Sequence, residues 1–250
     1  MRILISNDDG INAPGLACLE TVAAEISDDV WVVAPETEQS GKGHAVSLRT
    51  PVRLRQMSDR RFAVDGTPGD CVMMGLRHVI GGSVDLVLSG VNRGSNVADD
   101  VTYSGTVAAA MEATLLGVPA IALSQDYRDR LVHWDTARSH GPDLIRRLVD
   151  RGWPRGVLIN VNFPAVEPGE VAGTSLCRLG QHDFTTQKPV LRTDPFGHDY
   201  FWMAGWAWGG GLPPEGTDLR AIQENRISVT PISLDMTHDK TLRHLADGMA

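Results

Sequence analysis

The most chemically loaded stretch of the chain is Asn7-Asp8-Asp9-Gly10, where two carboxylates stand side by side. They follow Arg2-Ile3-Leu4-Ile5-Ser6, which reads as a buried parallel strand, and precede a helix opening near Pro14. Open α/β folds bind ligands at the carboxyl ends of their strands, where these two acids would lie. Adjacent carboxylates repel, so a positive partner is expected between or beside them. A hard divalent cation suits that position, because Mg²⁺ and Mn²⁺ prefer carboxylate, amide and hydroxyl oxygens. A solvated turn capping the next helix is the competing reading of these residues taken alone.

Other segments at expected strand ends could converge on Asp8 and Asp9. After the second strand, Ser40-Gly41-Lys42-Gly43 offers a hydroxyl for metal or phosphate, and glycines that let backbone N–H groups approach a ligand. Ser89-Gly90-Val91-Asn92-Arg93-Gly94-Ser95-Asn96 supplies amide groups in a tight turn. Ser104-Gly105-Thr106 opens an alanine-rich helix, whose free N–H groups and dipole make an anion site. It is not a Walker A loop, since the Gly-Lys-Ser/Thr ending is missing. Oxygen ligands for a metal opposite a helix N-terminus are the parts of a phosphoester hydrolase.

These segments require a frame. Strands are expected at 2–6, 29–34, 84–89, 119–124 and 156–162, and helices at 14–26, about 70–80, about 105–117 and about 133–150. Short apolar strands alternating with helices imply an α/β fold with a Rossmann-like, mostly parallel, doubly wound sheet. Alternating apolar residues at 44–65 predict a hairpin inserted near the sheet edge. From about 166 the chain turns rich in Gly, Pro and Trp, with strands at 200–203 and 227–230 and a short helix at 238–250. The domain reading is a core over 1–165 and an extension over 166–250 that packs on a partner subunit.

The 250 residues, 42% of them hydrophobic, suffice for a full core. The net charge of −8 with no basic cluster argues against a nucleic-acid polymer as partner. No apolar run approaches the ~18 residues of a membrane span. Cys18, Cys71 and Cys177 show no metal or redox spacing and read as core residues of a reducing compartment. The chain opens on a strand with no targeting segment, so a cytoplasmic protein is expected.

Beside the chemistry, the chain resembles the survival protein E (SurE) family. The residues that carry the resemblance are Asn7-Asp8-Asp9-Gly10-Ile11, Ala34-Pro35 leading to Ser40-Gly41, Gly66-Thr67-Pro68 with Asp70-Cys71, the 89–96 segment and Tyr103-Ser104-Gly105-Thr106-Val107. The likeness continues through Asn160-Val161-Asn162-Phe163-Pro164, Asp194-Pro195 with Gly197, Gly216-Thr217-Asp218 and Ser228-Val229-Thr230-Pro231. It implies a metal-dependent 5′/3′-nucleotidase for nucleoside monophosphates, some members also cleaving polyphosphate. By resemblance, Asp8, Asp9, Ser40 and Asn92 bind one Mg²⁺ or Mn²⁺ per subunit, and Gly41, Asn96 and Ser104-Gly105-Thr106 surround the phosphate. Homodimers with exchanged extensions, sometimes homotetramers, are implied as well. Phe196, and the aromatic run Trp206-Ala207-Trp208, depart from the pattern expected of relatives.

The expected mechanism is in-line attack of a metal-activated water, with Asp8 or Asp9 orienting or deprotonating it and no phosphoenzyme. The rivals are another phosphomonoester or polyphosphate phosphatase and a nucleotide sensor that does not hydrolyse. Among histidines, His44 near the Ser40 loop is the best candidate to approach a substrate, but a surface or hydrogen-bonded structural role is the favoured reading for it as for His78, His182 and His198. Asp70 is expected to cap its helix, Asp99-Asp100 to be a solvated pair, and Asp218 to anchor the extension. Trp202, Trp206 and Trp208 are expected in packing or subunit contact rather than on a base.

Overall fold

The computed structural model describes residues 1–183, 188–203 and 211–249. The opening apolar run forms β1 (Arg2–Ser6), with Ile3, Leu4 and Ile5 fully buried. Burial on both faces marks a parallel strand covered by helices. Alternation continues with α1 (Pro14–Ala24), β2 (Asp29–Pro35), β3 (Leu54–Ser58), β4 (Arg61–Val64) and α2 (Pro68–Met74). Next come β5 (Leu86–Arg93), α3 (Gly105–Leu115), β6 (Ala120–Gln125) and a small ribbon of β7 (Tyr127–Arg128) and β8 (Leu131–Val132). After α4 (Trp134–Arg151) and β9 (Val157–Phe163) the chain adds β10 (Thr174–Leu176), β11 (Val190–Thr193), β12 (Asp199–Trp202), α5 (Asp218–Gln223), β13 (Ile227–Ser233) and α6 (Asp239–Met249).

One nine-stranded sheet runs β10-β13-β9-β6-β5-β1-β2-β4-β3. The strands from β9 to β4 are parallel, while β13 and β3 are antiparallel to their inner neighbours. The chain leaves β1 first toward β2 and later crosses to β5, so the strand order reverses at β1. A ligand crevice is expected at that switch point, beyond the strands' carboxyl ends. One core packs side chains of α1 and α4 on one face of the sheet, among them Leu16, Leu19, Val22 and Ile145. The other packs α2 and α3 through Cys71, Val72, Val107 and Ala109. The small side chains of α3 leave it buried from Gly105 to Thr114.

Only part of the hairpin expected at 44–65 forms. β3 and β4 pair antiparallel, and β4 joins β2 in parallel at the sheet edge. Residues 44–53 form no strand, and the Asp70 carboxylate holds them: Ser47 donates to it from its N–H (2.9 Å) and its hydroxyl (2.7 Å). Asp70 also completes a capping box on α2, accepting from the Thr67 N–H at 2.9 Å while its own N–H donates to the Thr67 hydroxyl at 3.2 Å. Burial alone would raise its pKa, but the hydrogen bonds from Ser47 and Thr67 outweigh it and hold the carboxyl below its ordinary value.

A depressed folded-state pKa gives stability that is present above the unfolded value of 3.8 and is lost as pH falls through the folded one. Asp70→Asn should therefore cost about 1–2 kcal/mol at neutral pH, read as a lower melting temperature. The deficit should disappear in acid. A variant as stable as the parent at pH 7 would remove Asp70 from this role.

The main sheet crosses residue 165, since β13 lies beside β9 with Ser228 opposite Asn162 and Ser233 opposite Val157. Beyond it, β11 and β12 form a separate ribbon. Leu191, Tyr200, Phe201 and Trp202 on that ribbon are exposed, and α6 buries none of its residues. Trp206 and Trp208 lie outside the described residues. All three cysteines are buried and free. Among the described residues no helix is long and apolar enough to cross a membrane.

Candidate functional site

The loop after β1 is clamped from several directions. The Asn7 amide donates to the Gly10 carbonyl at 3.0 Å, and Gly10 takes φ +104°, a conformation that favours glycine. The Gln39 N–H donates to the Asp8 carbonyl at 2.8 Å, which brings the Ser40-Gly41 loop alongside. Asp8 is 3% exposed and Asp9 is half-buried.

Helix α3 points its amino end at Asp8. Ser104 is its N-cap, accepting from the Val107 N–H at 3.1 Å, and the Thr106 hydroxyl donates to the Asp8 carboxylate. The Gly105 and Thr106 N–H groups also hydrogen-bond that carboxylate. The anion at this helix start is thus Asp8 itself, and Gly105 and Thr106 stand behind it rather than on the cleft wall. Gly105 is required by contact: a Cβ there would lie 2.6 Å from the Asp8 Cβ.

From the end of β5, the Arg93 N–H donates to Asp9 at 3.3 Å. The β5–β6 register shifts between Ser89 and Asn92, and such an irregularity re-aims the side chains beyond it. The Asn92 amide N–H donates to the Gly94 carbonyl at 2.8 Å, committing its nitrogen and leaving its oxygen as the donor for a cation. Asn96 is fixed by residues that the sequence did not single out for the site. Its N–H donates to Asn162 Oδ1 at 2.7 Å, and its carbonyl accepts from the Asn160 and Asn162 amides. Its own amide donates to the Ser124 hydroxyl at 2.8 Å.

Asp8, Asp9, Ser40, Gly41, Asn92, Asn96 and Ser104 line a single cleft of about 1530 Å³. Burial pushes the Asp8 carboxyl up against the hydrogen bonds it accepts. Burial, then the neighbouring Asp8 charge and that of Glu38, push Asp9 up to about 6. The pair is electrostatically frustrated in the way a bound cation relieves. The donor set is two carboxylates, a hydroxyl and an amide oxygen, which fits a hard cation. Among the described residues no cluster of three or more His, Cys, Asp or Glu side chains forms a metal site, so a zinc-type centre is not built here.

A further expectation is corrected. Asp99 and Asp100 are not a solvated pair: Asp99 accepts from the His182 N–H at 2.7 Å, and Asp100 lies 3.1 Å from His182 Nε2. They hold His182 against the turn before α3, where His182 also lines the cleft. His44 takes the hydrogen-bonded structural role favoured for it: its Nε2 is paired with Glu112 of α3 at 2.9 Å, and it does not line the cleft. Asp218 does anchor the extension, accepting from the Ala98 and Gly180 N–H groups, each at 2.8 Å.

The family model "Survival protein SurE" matches residues 3–186. A relative from Methylobacterium radiotolerans named 5′-nucleotidase SurE is 54% identical over 255 residues, covering all of both chains. One of the same name from Caulobacter vibrioides is 53% identical, covering 98% of this chain and 95% of its own. The crystal structure of the SurE protein from Aquifex aeolicus superposes with a TM-score of 0.87 at 34% identity, over the full length of both. With the family model covering most of its length and relatives matching end to end, the chain belongs to the survival protein SurE family.

Proposed function

We propose that the protein is a 5′-nucleotidase, a divalent-metal-dependent phosphomonoester hydrolase that releases phosphate from nucleoside 5′-monophosphates. The observation that carries this reading is the pair Asp8 and Asp9, buried or half-buried side by side in a cleft with Ser40, Asn92 and Asn96. The relatives named 5′-nucleotidase supply the substrate class. Asp8, Asp9, Ser40 and Asn92 would hold one Mg²⁺ or Mn²⁺. When bound, that cation supplies Lewis acidity toward the phosphoryl oxygens and a more acidic water.

The chain's own residues do the rest. Thr106 and the start of α3 fix Asp8 in one orientation, as hydrogen-bonded partners fix the ligands of metal sites. Asp9 carries fewer such bonds and is more open, so it is the better placed to orient the attacking water and accept its proton. Asn96, held by Asn160 and Asn162, and the Gly41 backbone face the phosphate and stabilise charge that grows in the transition state. The exposed apolar residues of β12 and α6 suit an exchanged extension in a homodimer.

The test is phosphate release from AMP and GMP in Mn²⁺, with and without chelator, beside 3′-nucleotides, ribose 5-phosphate and short polyphosphate. Release that needs the cation and favours 5′-nucleotides is expected. Activity indifferent to the leaving group would make the protein a general phosphatase. No release from any substrate would leave only a nucleotide sensor.

A further inference from the structure

The phosphate-facing residues account for only part of the cleft. Its volume of about 1530 Å³ exceeds the ~300–1,000 Å³ of most small-ligand sites. The remaining lining includes Arg93, Tyr127 and Arg130, beside the acidic Glu38, Asp100 and Asp126. Arg93, Tyr127 and Arg130 bring two guanidinium groups and an aromatic ring to the lining of a cleft that otherwise carries several carboxylates.

The wall has a defined construction. The Arg93 guanidinium lies over the Tyr127 ring, 5.4 Å from its centre. Gly94, at φ +112°, takes a backbone conformation that favours glycine, and the Tyr127 ring packs against it. The Arg93 N–H meanwhile donates to Asp9, so one residue joins the stacked pair to the carboxylates. Tyr127 stays 43% exposed, and Arg93 is exposed too.

The ribbon beneath carries strain. Tyr127 pairs with Val132 and Arg128 with Leu131, which leaves Asp129 and Arg130 as a two-residue turn. Their φ values are +50° and +65°. Positive φ at both central positions is the turn that Asn-Gly adopts readily and that a residue with a long side chain resists. Backbone strain kept beside a ligand cleft points to a role for the side chain it displays. Here that side chain is Arg130, which lines the cleft.

We propose that Arg93, Tyr127 and Arg130 form the nucleobase subsite of this cleft. The identity of the ligand rests on the nucleotidase reading. Every base has a flat π face that stacks on aromatic rings and on guanidinium planes. Arg130 adds donors for the ring nitrogen and carbonyl acceptors of a purine. The larger purine rings should therefore be favoured over pyrimidines.

The test compares kcat/KM for AMP with that for ribose 5-phosphate, which lacks the base. Tyr127→Ala should lower the AMP to ribose 5-phosphate ratio about tenfold, and Tyr127→Phe should keep it. Arg130→Gly should also lower the ratio while relaxing the turn, so a loss there is not a folding defect. Adenosine binding, measured by calorimetry in chelator without any turnover, should weaken in Tyr127→Ala alongside the ratio. If the parent hydrolyses AMP and neither Tyr127→Ala nor Arg130→Gly moves the ratio or adenosine affinity, the subsite is wrong and the nucleotidase stands. If the parent hydrolyses nothing yet loses adenosine binding with Tyr127→Ala, the subsite stands and the nucleotidase is wrong.

Discussion

Asp9→Asn should abolish nucleotide hydrolysis and, in the absence of metal, make the protein more stable. Losing a carboxylate that holds the cation removes several kcal/mol of transition-state stabilisation, about 10³-fold in rate. The gain in stability comes from the same carboxylate. Its folded pKa is raised from 3.8 to about 6, chiefly by burial and then by the Asp8 charge. A raised folded pKa on an acid means that the folded state disfavours the charged form. The destabilisation is absent below pH 3.8, sets in between 3.8 and about 6, and is complete above.

Asparagine keeps the volume and the acceptor for the Arg93 N–H but carries no charge. After allowance for solvent at the open side of Asp9, the metal-free variant should gain about 1–2 kcal/mol at pH 7.5. That corresponds to a melting temperature higher by about 3–6 °C. Saturating Mn²⁺ should reverse the order, since a ligand at a hundred times its Kd adds about 2.7 kcal/mol to the parent. Thermal melts of both proteins in chelator and in Mn²⁺ show whether the crossing occurs. A variant less stable than the parent in chelator at pH 7.5 would mean that the pair is not frustrated.

Gly105→Ala should inactivate by moving Asp8. The new Cβ would fall 2.6 Å from the Asp8 Cβ and 2.8 Å from its Oδ2, so the buried carboxylate or the start of α3 must shift. Overpacking of this kind costs about 1–3 kcal/mol of stability. A shift near 1 Å in a group that sets reaction geometry costs about 10²-fold in rate. Part of the loss should be recovered at high Mn²⁺, because the displaced ligand weakens the cation site before it destroys it. Full activity in Gly105→Ala would show that Asp8 tolerates displacement and is not a fixed ligand.

Much of this site was legible because its signals are local. Asp8 and Asp9 are adjacent, they follow an apolar strand, and Ser104-Gly105-Thr106 stands where a helix must begin. The apolar runs of β1, β2, β5, β6 and β9 could be placed for the same reason. Most contacts across long separations left no mark: His182 meets Asp99 from 83 positions away. Asp218 could be read as an anchor for the extension, but not as the acceptor for the Ala98 N–H from 120 positions away. Asn160 and Asn162 read as ordinary strand residues until their amides are seen on the Asn96 carbonyl.

Turn chemistry hid the ribbon at 127–132, because Asp129-Arg130 lacks the Asn-Gly signature of its conformation. The hairpin at 44–65 was overextended for a related reason. Alternating apolar residues at 46–54 resemble a strand, yet the Asp70 carboxylate binds the Ser47 backbone and hydroxyl. The helix at 105–115 was placed, but its first N–H groups serve Asp8 rather than open cleft. Periodicity finds the helix, and only packing decides which anion it faces.

The most direct test of the metal-centred account is a Mn²⁺ titration of chelator-stripped protein, followed by the EPR signal of free ion and by phosphate release from AMP in the same samples. One ion per chain should bind, with release rising in step with occupancy, and Asp9→Asn should lose both. Phosphate release with no ion bound, or unchanged Mn²⁺ binding in Asp9→Asn, would contradict it.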